Sequence, residues 1–180
     1  METLTIKAAF KYPFNRAKGM WNILWILIPI IGWFALGGYI VRIIKGFLKG
    51  NFKKLPIFSF RSDLELGCTM FLKSLPFLIA YTIAALILSA ISPVLRYIME
   101  ILIIPILTIN FINKQTIESY FEFKIIKHVF NNFGDYIVMI LKGILLALIF
   151  LVMCVILVGF PAGAFTESIF IADFYNRRVK

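Results

Sequence analysis

The sequence is poor in charge, cysteine and histidine, and these absences already exclude several classes of protein. Charged residues make up 16% of the 180 residues. The cysteines are Cys68 and Cys154, each within an apolar stretch, and His128 is the single histidine. Two isolated cysteines exclude a disulfide framework, and one histidine without neighbouring ligands excludes a Cys/His zinc site. We expect neither a metal nor a cofactor.

Catalytic signatures are lacking as well. The chain has no G-x-S-x-G, H-E-x-x-H, Walker or dinucleotide-binding string, each of which places reactive groups at a defined turn or helix face. The sequence therefore predicts a protein that is not an enzyme.

Acidic residues are scarce, and the more numerous basic residues are scattered. Nine Asp and Glu stand against 19 Lys and Arg, which gives a net charge of +10. The densest basic strings are Lys53-Lys54 and NRRVK at 176–180, which are too short to predict a nucleic-acid interface. Lysines and arginines beside apolar segments contact anionic lipid headgroups. We expect the lipid bilayer and its anionic headgroups as partners, and no nucleic acid.

Apolar residues, in contrast, dominate the chain. They form 61% of it, and the mean hydropathy is +0.92, whereas apolar residues make up about 45–50% of a soluble domain. Runs of about 20 apolar residues are typical of membrane-spanning helices. We predict an all-α, polytopic helical membrane bundle that forms a single domain over residues 1–180. Its apolar segments are 20–41, Gly67–Ile91, Val94–Ile112, Tyr136–Phe160 and a shorter one at 161–176.

Helix-breaking residues interrupt the first of these segments and the continuous stretch 136–176 that the last two form. Pro29 and Gly32 lie inside the first, and Gly159 and Pro161 lie inside 136–176. If the first segment crosses the bilayer and three more spans follow, the basic residues divide 11 to 8; if both segments bend back, 18 of the 19 share one side and only Arg96 lies on the other. The second division agrees with the positive-inside tendency. We therefore predict N-terminal and C-terminal hairpins, with broken or re-entrant helices, around two central spans, and keep the straight crossing as the alternative.

Two local patterns give further expectations. Ser62 with Glu65 matches a capping box, which predicts that the helix of the second span begins there. Four apolar residues from Phe123 to Phe133 fall on one helical stripe, which predicts an interfacial helix within residues 114–135.

Charged residues inside the apolar segments are the candidate functional residues. Arg96 and Glu100 stand four apart and share one helix face, either as an ion or proton site near the outer leaflet or as an interfacial pair that neutralises itself. Glu167 and Asp173 lie in the last apolar segment, where an acid either pairs with a lysine of another span or faces headgroup water.

Three stretches of the chain resemble a known family. AFKYPFNRAKGMW at 9–21, GGYIVRIIKG at 37–46 followed by LPIF, and DLELGCTMFLKSLPFLIAY at 63–81 are similar to the pattern of the prokaryotic "domain of unknown function 4013" family. There, a Tyr-Pro-Phe lead-in, a Gly-Tyr followed by a basic residue, a Leu-Pro motif and a glycine at the start of the next span recur in this order. The resemblance implies a polytopic prokaryotic inner-membrane protein and no catalytic residue.

These features favour a multi-pass inner-membrane protein that is a structural or accessory component of a membrane assembly, formed with itself or with another membrane protein. The alternative is a channel or transporter for a small solute or anion, because discontinuous helices commonly line transport sites. The basic flanks place the N-terminus in the cytoplasm. A structural component predicts an exposed apolar packing face, whereas a permeation protein predicts polar residues that converge near the membrane midplane.

Overall fold

The structure, a computed structural model, describes residues 3–180, and these residues fold into helices joined by short turns. The α-helices are α1 (Ile6–Phe14), α2 (Ile31–Leu48), α3 (Phe60–Ile91), α4 (Pro93–Ile98), α5 (Ile104–Lys114), α6 (Ile126–Asn131), α7 (Phe133–Met153), α8 (Gly159–Thr166) and α9 (Ile169–Arg178). The 3₁₀ helices occupy Ala17–Leu27, Ile117–Phe121, Phe123–Ile125 and Cys154–Ile156, and a π-helical turn, Met99–Ile103, joins α4 to α5. No strand occurs in this part of the chain, so the all-α prediction is confirmed.

Within residues 3–180, four helical stretches are long and apolar enough to cross a membrane: Ile31–Leu48, Phe60–Ile91, Pro93–Lys114 and Phe133–Ile156. Half of the most apolar window of Ile31–Leu48 is buried inside the fold, whereas the windows of the other three are only 11–33% buried. In the most apolar window of Phe60–Ile91, only 11% of the residues are buried. Apolar side chains exposed around a whole helix require a hydrocarbon environment. The protein is therefore a multi-pass membrane protein.

The first apolar segment folds as the N-terminal hairpin. The 3₁₀ helix Ala17–Leu27 leads in, the chain reverses around Pro29, and α2 returns beside it. Pro29 has no amide hydrogen with which to continue a helix, and Ile30 takes a φ of 63°, in the left-handed region. Trp33 Nε1 donates a 2.9 Å hydrogen bond to the Ile26 carbonyl across the reversal. The chain reversal predicted here is present, and its re-entry into a bilayer stays a prediction.

The last apolar segment forms the C-terminal hairpin. The chain runs through α7 to Ile156, reverses at Leu157, which has a φ of 60°, and returns along α7 as α8 and α9. At the open end of the hairpin, Arg177 Nη1 lies 2.7 Å from a carboxylate oxygen of Asp135. The returning stretch covers 159–178, about 30 Å at 1.5 Å per residue. It is longer than the predicted 161–176, because α9 continues into the polar NRR string.

The returning helix of the N-terminal hairpin, α2, packs tightly against the first half of α3. A Cβ atom on Gly38 would lie 1.8 Å from the Asp63 carbonyl oxygen, and one on Gly67 would lie 1.9 Å from the Phe34 carbonyl oxygen. The two helix backbones therefore touch at this crossing. Small residues at such contacts are characteristic of helix pairs in membranes.

The second half of α3 and the α4 helix form a projecting hairpin, residues 78–98, which we call the apolar arm. Its tip is at Ser92, whose backbone is extended, and Pro93 begins α4. Ala85 is the buried residue of the arm, while outward side chains such as Ile91 are 68% exposed. The arm is therefore held by its own two helices and makes little contact with the rest of the fold.

The N-terminal segment, the α2–α3 connection and the C-terminus meet at one end of the fold, which we call the basic end. Asn15 Nδ2 donates a 2.7 Å hydrogen bond to the Lys53 carbonyl, which ties the N-terminal segment to the α2–α3 connection. Lys180 Nζ donates to the Leu48 carbonyl at 2.7 Å, which brings the C-terminus to the same place. The three chain reversals lie at the far ends of their hairpins.

The lysines within the spans also reach toward chain connections. Lys73 Nζ on α3 donates to the Gln115 carbonyl at 2.9 Å, just after α5, and Lys142 Nζ on α7 donates to the Leu4 carbonyl at 3.0 Å. Arg96, on the apolar arm, lies apart from this end.

Two local predictions were wrong. The helix of the second span begins at Phe60, not at Ser62, and the Asp63 carboxylate accepts the Ser59 amide at 2.8 Å in place of a capping box. The stretch after α5 is not one interfacial helix, because short 3₁₀ helices precede α6.

Candidate functional site

A cleft of about 760 Å³ lies between the π-helical turn and the C-terminal hairpin. Its walls are mainly apolar side chains of α7, α8 and α9. The charged residues on its lining are Glu100, from the π-helical turn, and Glu167, from the α8–α9 junction. Sequence reasoning identified both acids separately, and the structure brings them to one cavity.

Pro105 and Tyr136 shape the wall that carries Glu100. Because Pro105 has no amide hydrogen, the Ile101 carbonyl has no donor at its usual helical position. The buried Tyr136 hydroxyl supplies one instead, at 3.1 Å from the Ile101 oxygen and 3.3 Å from the Leu102 oxygen. π-helical turns of this kind frequently occur at functional sites. Here the turn is fixed to α7 through the hydroxyl of the buried Tyr136.

The Glu100 side chain accepts two hydrogen bonds. Its Oε1 accepts from Arg96 Nε at 2.8 Å and from the Tyr81 hydroxyl at 2.7 Å, and Arg96 Nη1 lies 3.5 Å from Ser89 Oγ. The side chains of Arg96 and Glu100 are 45% and 27% exposed. The Arg96–Glu100 pair anticipated from the spacing therefore forms, and it joins the two helices of the apolar arm.

Glu167 lies where the return path of the C-terminal hairpin is broken. The α8 helix ends at Thr166 and α9 begins at Ile169, so Glu167 occupies the junction. Its side chain is exposed, and within residues 3–180 it makes no salt bridge or hydrogen bond. It contributes an uncompensated carboxylate to the cleft.

Asp173 belongs to a different cluster, at the basic end. Its Oδ2 accepts from Arg177 Nε at 3.0 Å and from the Leu4 amide at 3.3 Å. Of the alternatives considered from sequence, a lysine partner (Lys142 or Lys73) or headgroup water, neither describes Asp173, because Arg177 stands one turn away on the same helix and Lys142 binds the Leu4 carbonyl.

Sequence reasoning missed the centre of that cluster. Arg177 Nη1 and Nη2 contact Asp135 at 2.7 and 3.4 Å, and Arg178 Nε contacts the same carboxylate at 2.8 Å. The Arg177 side chain is 8% exposed. The spacing of four residues between Asp173 and Arg177 could have predicted their pairing on one helix face. The contact with Asp135 joins residues that are 42 positions apart, and no local pattern indicates it.

Two other polar clusters brace the helices. Arg42 Nη2 lies 2.6 Å from the fully buried Asp63 carboxylate at the α2–α3 crossing. In the second cluster, Glu122 binds Lys114 Nζ at 2.5 Å and Asn110 Nδ2 at 3.1 Å, and these hydrogen bonds hold the pKa of the Glu122 carboxyl below its usual value. Both clusters pair their charges internally.

Among the described residues, no three His, Cys, Asp or Glu side chains lie together in a way that holds a metal ion. Cys154 lines the cleft, and both cysteines are free and half-buried.

No known protein family, curated protein or solved structure matches this chain. The fold and the cleft define a multi-pass helical membrane protein.

The Arg96–Glu100 pair permits a direct test of its structural role. We expect Glu100→Leu to destabilise the apolar arm, because Arg96 and Tyr81 then lose the carboxylate to which both donate, and a charge that loses its partner beside apolar surroundings is unfavourable. Replacing both residues with leucine should restore the melting temperature of the detergent-purified protein. A double variant as unstable as Glu100→Leu alone would contradict this role.

Proposed function

We propose that this protein is a non-enzymatic structural or accessory component of a membrane assembly, and that it associates with a second copy of itself through the apolar arm. The observation that carries the proposal is the arm itself, because it projects from the fold and presents Ala80 and Ala84 at four-residue spacing on a face that the rest of the chain leaves open. Residues 78–98 project as an antiparallel helix pair, with large apolar side chains exposed along both helices.

The distribution of polar residues supports a structural role over permeation. In the clusters around Asp63, Arg177 and Glu122, the carboxylates are paired with basic side chains of the same cluster. At the apolar arm, Arg96 is paired with Glu100. The Glu122 cluster continues through Asn110 to the Tyr175 hydroxyl on α9, and within the described residues no side-chain hydrogen bond or salt bridge joins it to the other clusters. A permeation pathway needs a continuous chain of polar side chains, or a wide polar cavity.

Small residues on the arm support self-association. Ala80 is exposed and Ala84 half-buried on the same face of α3, and small residues four apart permit close approach of helices in lipid. A second copy presents the same face, as a symmetric dimer requires.

We expect cysteines placed at Ile83 in a chain with Cys68→Ser and Cys154→Ser to cross-link two copies in native membranes. Ile83 is 56% exposed on the arm, so contact between arms would bring the two thiols together. The measurement is the dimer band on a non-reducing gel after mild oxidation.

The matched control is a cysteine at Val152, which is 73% exposed on α7 and should give no dimer. Ala80→Leu with Ala84→Leu should abolish the Ile83→Cys cross-link, whereas Ala17→Leu should not. Equal cross-linking at Ile83 and Val152 would indicate random collision and would overturn the proposal.

The cellular location and orientation are part of the proposal. We place the protein in a prokaryotic inner membrane with the basic end, including the N-terminus, in the cytoplasm. The positive-inside tendency supports this orientation. The resemblance to the "domain of unknown function 4013" family supports the membrane assignment, and membership in that family is proposed on the same residues.

Thiol labelling tests the orientation. In the same background without native cysteines, we expect a cysteine at Ser59, in the α2–α3 connection, to resist a membrane-impermeant thiol reagent in intact cells and to react after permeabilisation. A cysteine at Ser92, at the tip of the apolar arm, should react in intact cells. Labelling at Ser59 without permeabilisation would mean that residues 20–41 cross the bilayer.

A small-solute permeation protein is the second candidate, and the cleft favours it. The carboxylates of Glu100 and Glu167 on its lining favour cationic solutes over the anions considered from sequence. Flux of small cations into proteoliposomes that contain the protein, lost on Glu167→Gln, would establish this alternative in place of the structural role.

A further inference from the structure

We propose that the cleft between the π-helical turn and the C-terminal hairpin binds a lipophilic organic cation, such as an aryl- or alkyl-substituted quaternary ammonium or phosphonium ion. The cleft holds about 760 Å³, within the range of about 300–1,000 Å³ that is typical of small-molecule sites. Its walls are apolar with few polar groups, which is also typical of such sites.

The carboxylates on the lining indicate that the bound molecule carries a positive charge. The Oε1 atom of Glu100 accepts hydrogen bonds from Arg96 and Tyr81, while its Oε2 atom makes none within the described residues. Glu167 is uncompensated, as described above. A carboxylate against apolar walls is unfavourable until a cation compensates it, so a bound cation would stabilise Glu167. The Glu100 charge is already paired with Arg96, and its free Oε2 atom adds a second negative contact.

Aromatic rings on the lining favour an organic cation over an inorganic one. Tyr136, Phe150, Phe160 and Phe170 all contribute to the cleft, and aromatic faces attract organic cations that are only weakly hydrated. A small inorganic ion would instead need several oxygen ligands, and among the described residues no three Asp, Glu, His or Cys side chains lie together in a way that holds one.

The depth of Glu167 favours a cation dissolved in the hydrocarbon over a lipid headgroup. Glu167 lies ten residues after the Leu157 reversal and eleven before Arg178, about 15 Å from each along a helical path. A headgroup anchored at the interface would have to leave its aqueous layer to reach this point. The C-terminal end of α8, at Thr166, adds the negative end of a helix dipole beside the same position.

Binding to the purified full-length protein tests the proposal, and it does not depend on the proposed self-association. The probe is tetraphenylphosphonium, measured by equilibrium dialysis in detergent, with neutral triphenylphosphine oxide as the uncharged comparison. We expect saturable binding of the cation and none of the neutral compound. Glu167→Gln should weaken the affinity about tenfold through the lost charge pair, and Glu100→Gln should also weaken it.

Glu118→Gln is the matched control, because Glu118 is exposed on the 3₁₀ helix Ile117–Phe121 and does not line the cleft. Its affinity should equal that of the unchanged protein. Glu167→Gln should fold normally, since Glu167 makes no contact that the substitution would break, and a thermal melt verifies this. Unchanged affinity in Glu167→Gln, equal binding of the neutral probe, or no saturable binding at all would mean that lipid or detergent chains fill the cleft, and would overturn the proposal.

Discussion

Gly38→Ala is expected to unfold much of the protein, because it separates the two helix backbones that touch at the centre of the fold. The added methyl carbon would lie 1.8 Å from the Asp63 carbonyl oxygen, a distance that no rotation of a side chain can relieve. Overpacking a core costs about 1–3 kcal/mol and occasionally more. We expect the upper end of that range or beyond, since α2 and α3 must move apart as whole helices.

The same movement would break the buried ion pair at the crossing. Asp63 accepts from Arg42 at 2.6 Å and from the Ser59 amide at 2.8 Å, and both bonds depend on the present helix spacing. The measurement is the melting temperature of the detergent-purified protein, followed by circular dichroism.

Gly37→Ala provides the control on the neighbouring residue. A Cβ atom there meets nothing within 4 Å, and alanine is a better helix former than glycine by about 0.5–1 kcal/mol. The melting temperature should therefore stay equal or rise. If the two variants melt alike, the close crossing of α2 and α3 is not a determinant of stability.

The helix class and the chain reversals could be predicted because their signals are local. Hydropathy alone identifies the spans, and Pro29 together with the charge division indicates the N-terminal hairpin. The α2–α3 crossing could not be predicted in the same way. Gly37 and Gly38 are adjacent in sequence, and only the position of α3 determines which of them needs to be glycine.

The candidate site was predictable only in part, for a similar reason. Arg96 and Glu100 are one turn apart on the same helix, so spacing is enough to pair them. Glu167 reaches the same cleft as Glu100 because the C-terminal hairpin folds against the π-helical turn, and nothing in the local sequence encodes that contact. The role of Tyr136, which replaces the donor missing at Pro105, was likewise not visible from sequence.

Arg177→Met is the second change for which we expect a large effect. Arg177 binds Asp135 on α7 at 2.7 Å and Asp173 on α9 at 3.0 Å, and the three side chains are 8%, 18% and 12% exposed. Removing the central cation leaves two poorly solvated carboxylates near each other. Breaking a buried ion pair by removing one partner costs about 3–5 kcal/mol, so we expect a strong fall in melting temperature and a loosened C-terminal hairpin.

Arg178→Met tests whether the effect comes from the burial of Arg177 or merely from the loss of one positive charge. Arg178 binds the same Asp135 carboxylate at 2.8 Å, but its side chain is 43% exposed, and exposed ion pairs contribute about 0–1 kcal/mol. We therefore expect only a small change for this neighbour. Adding Asp173→Asn to Arg177→Met should recover part of the lost stability, because one uncompensated carboxylate is then neutral. If the Arg177 and Arg178 variants lose the same stability, or if Asp173→Asn gives no recovery, the cluster acts through net charge at the basic end and not through a buried bridge between α7 and α9.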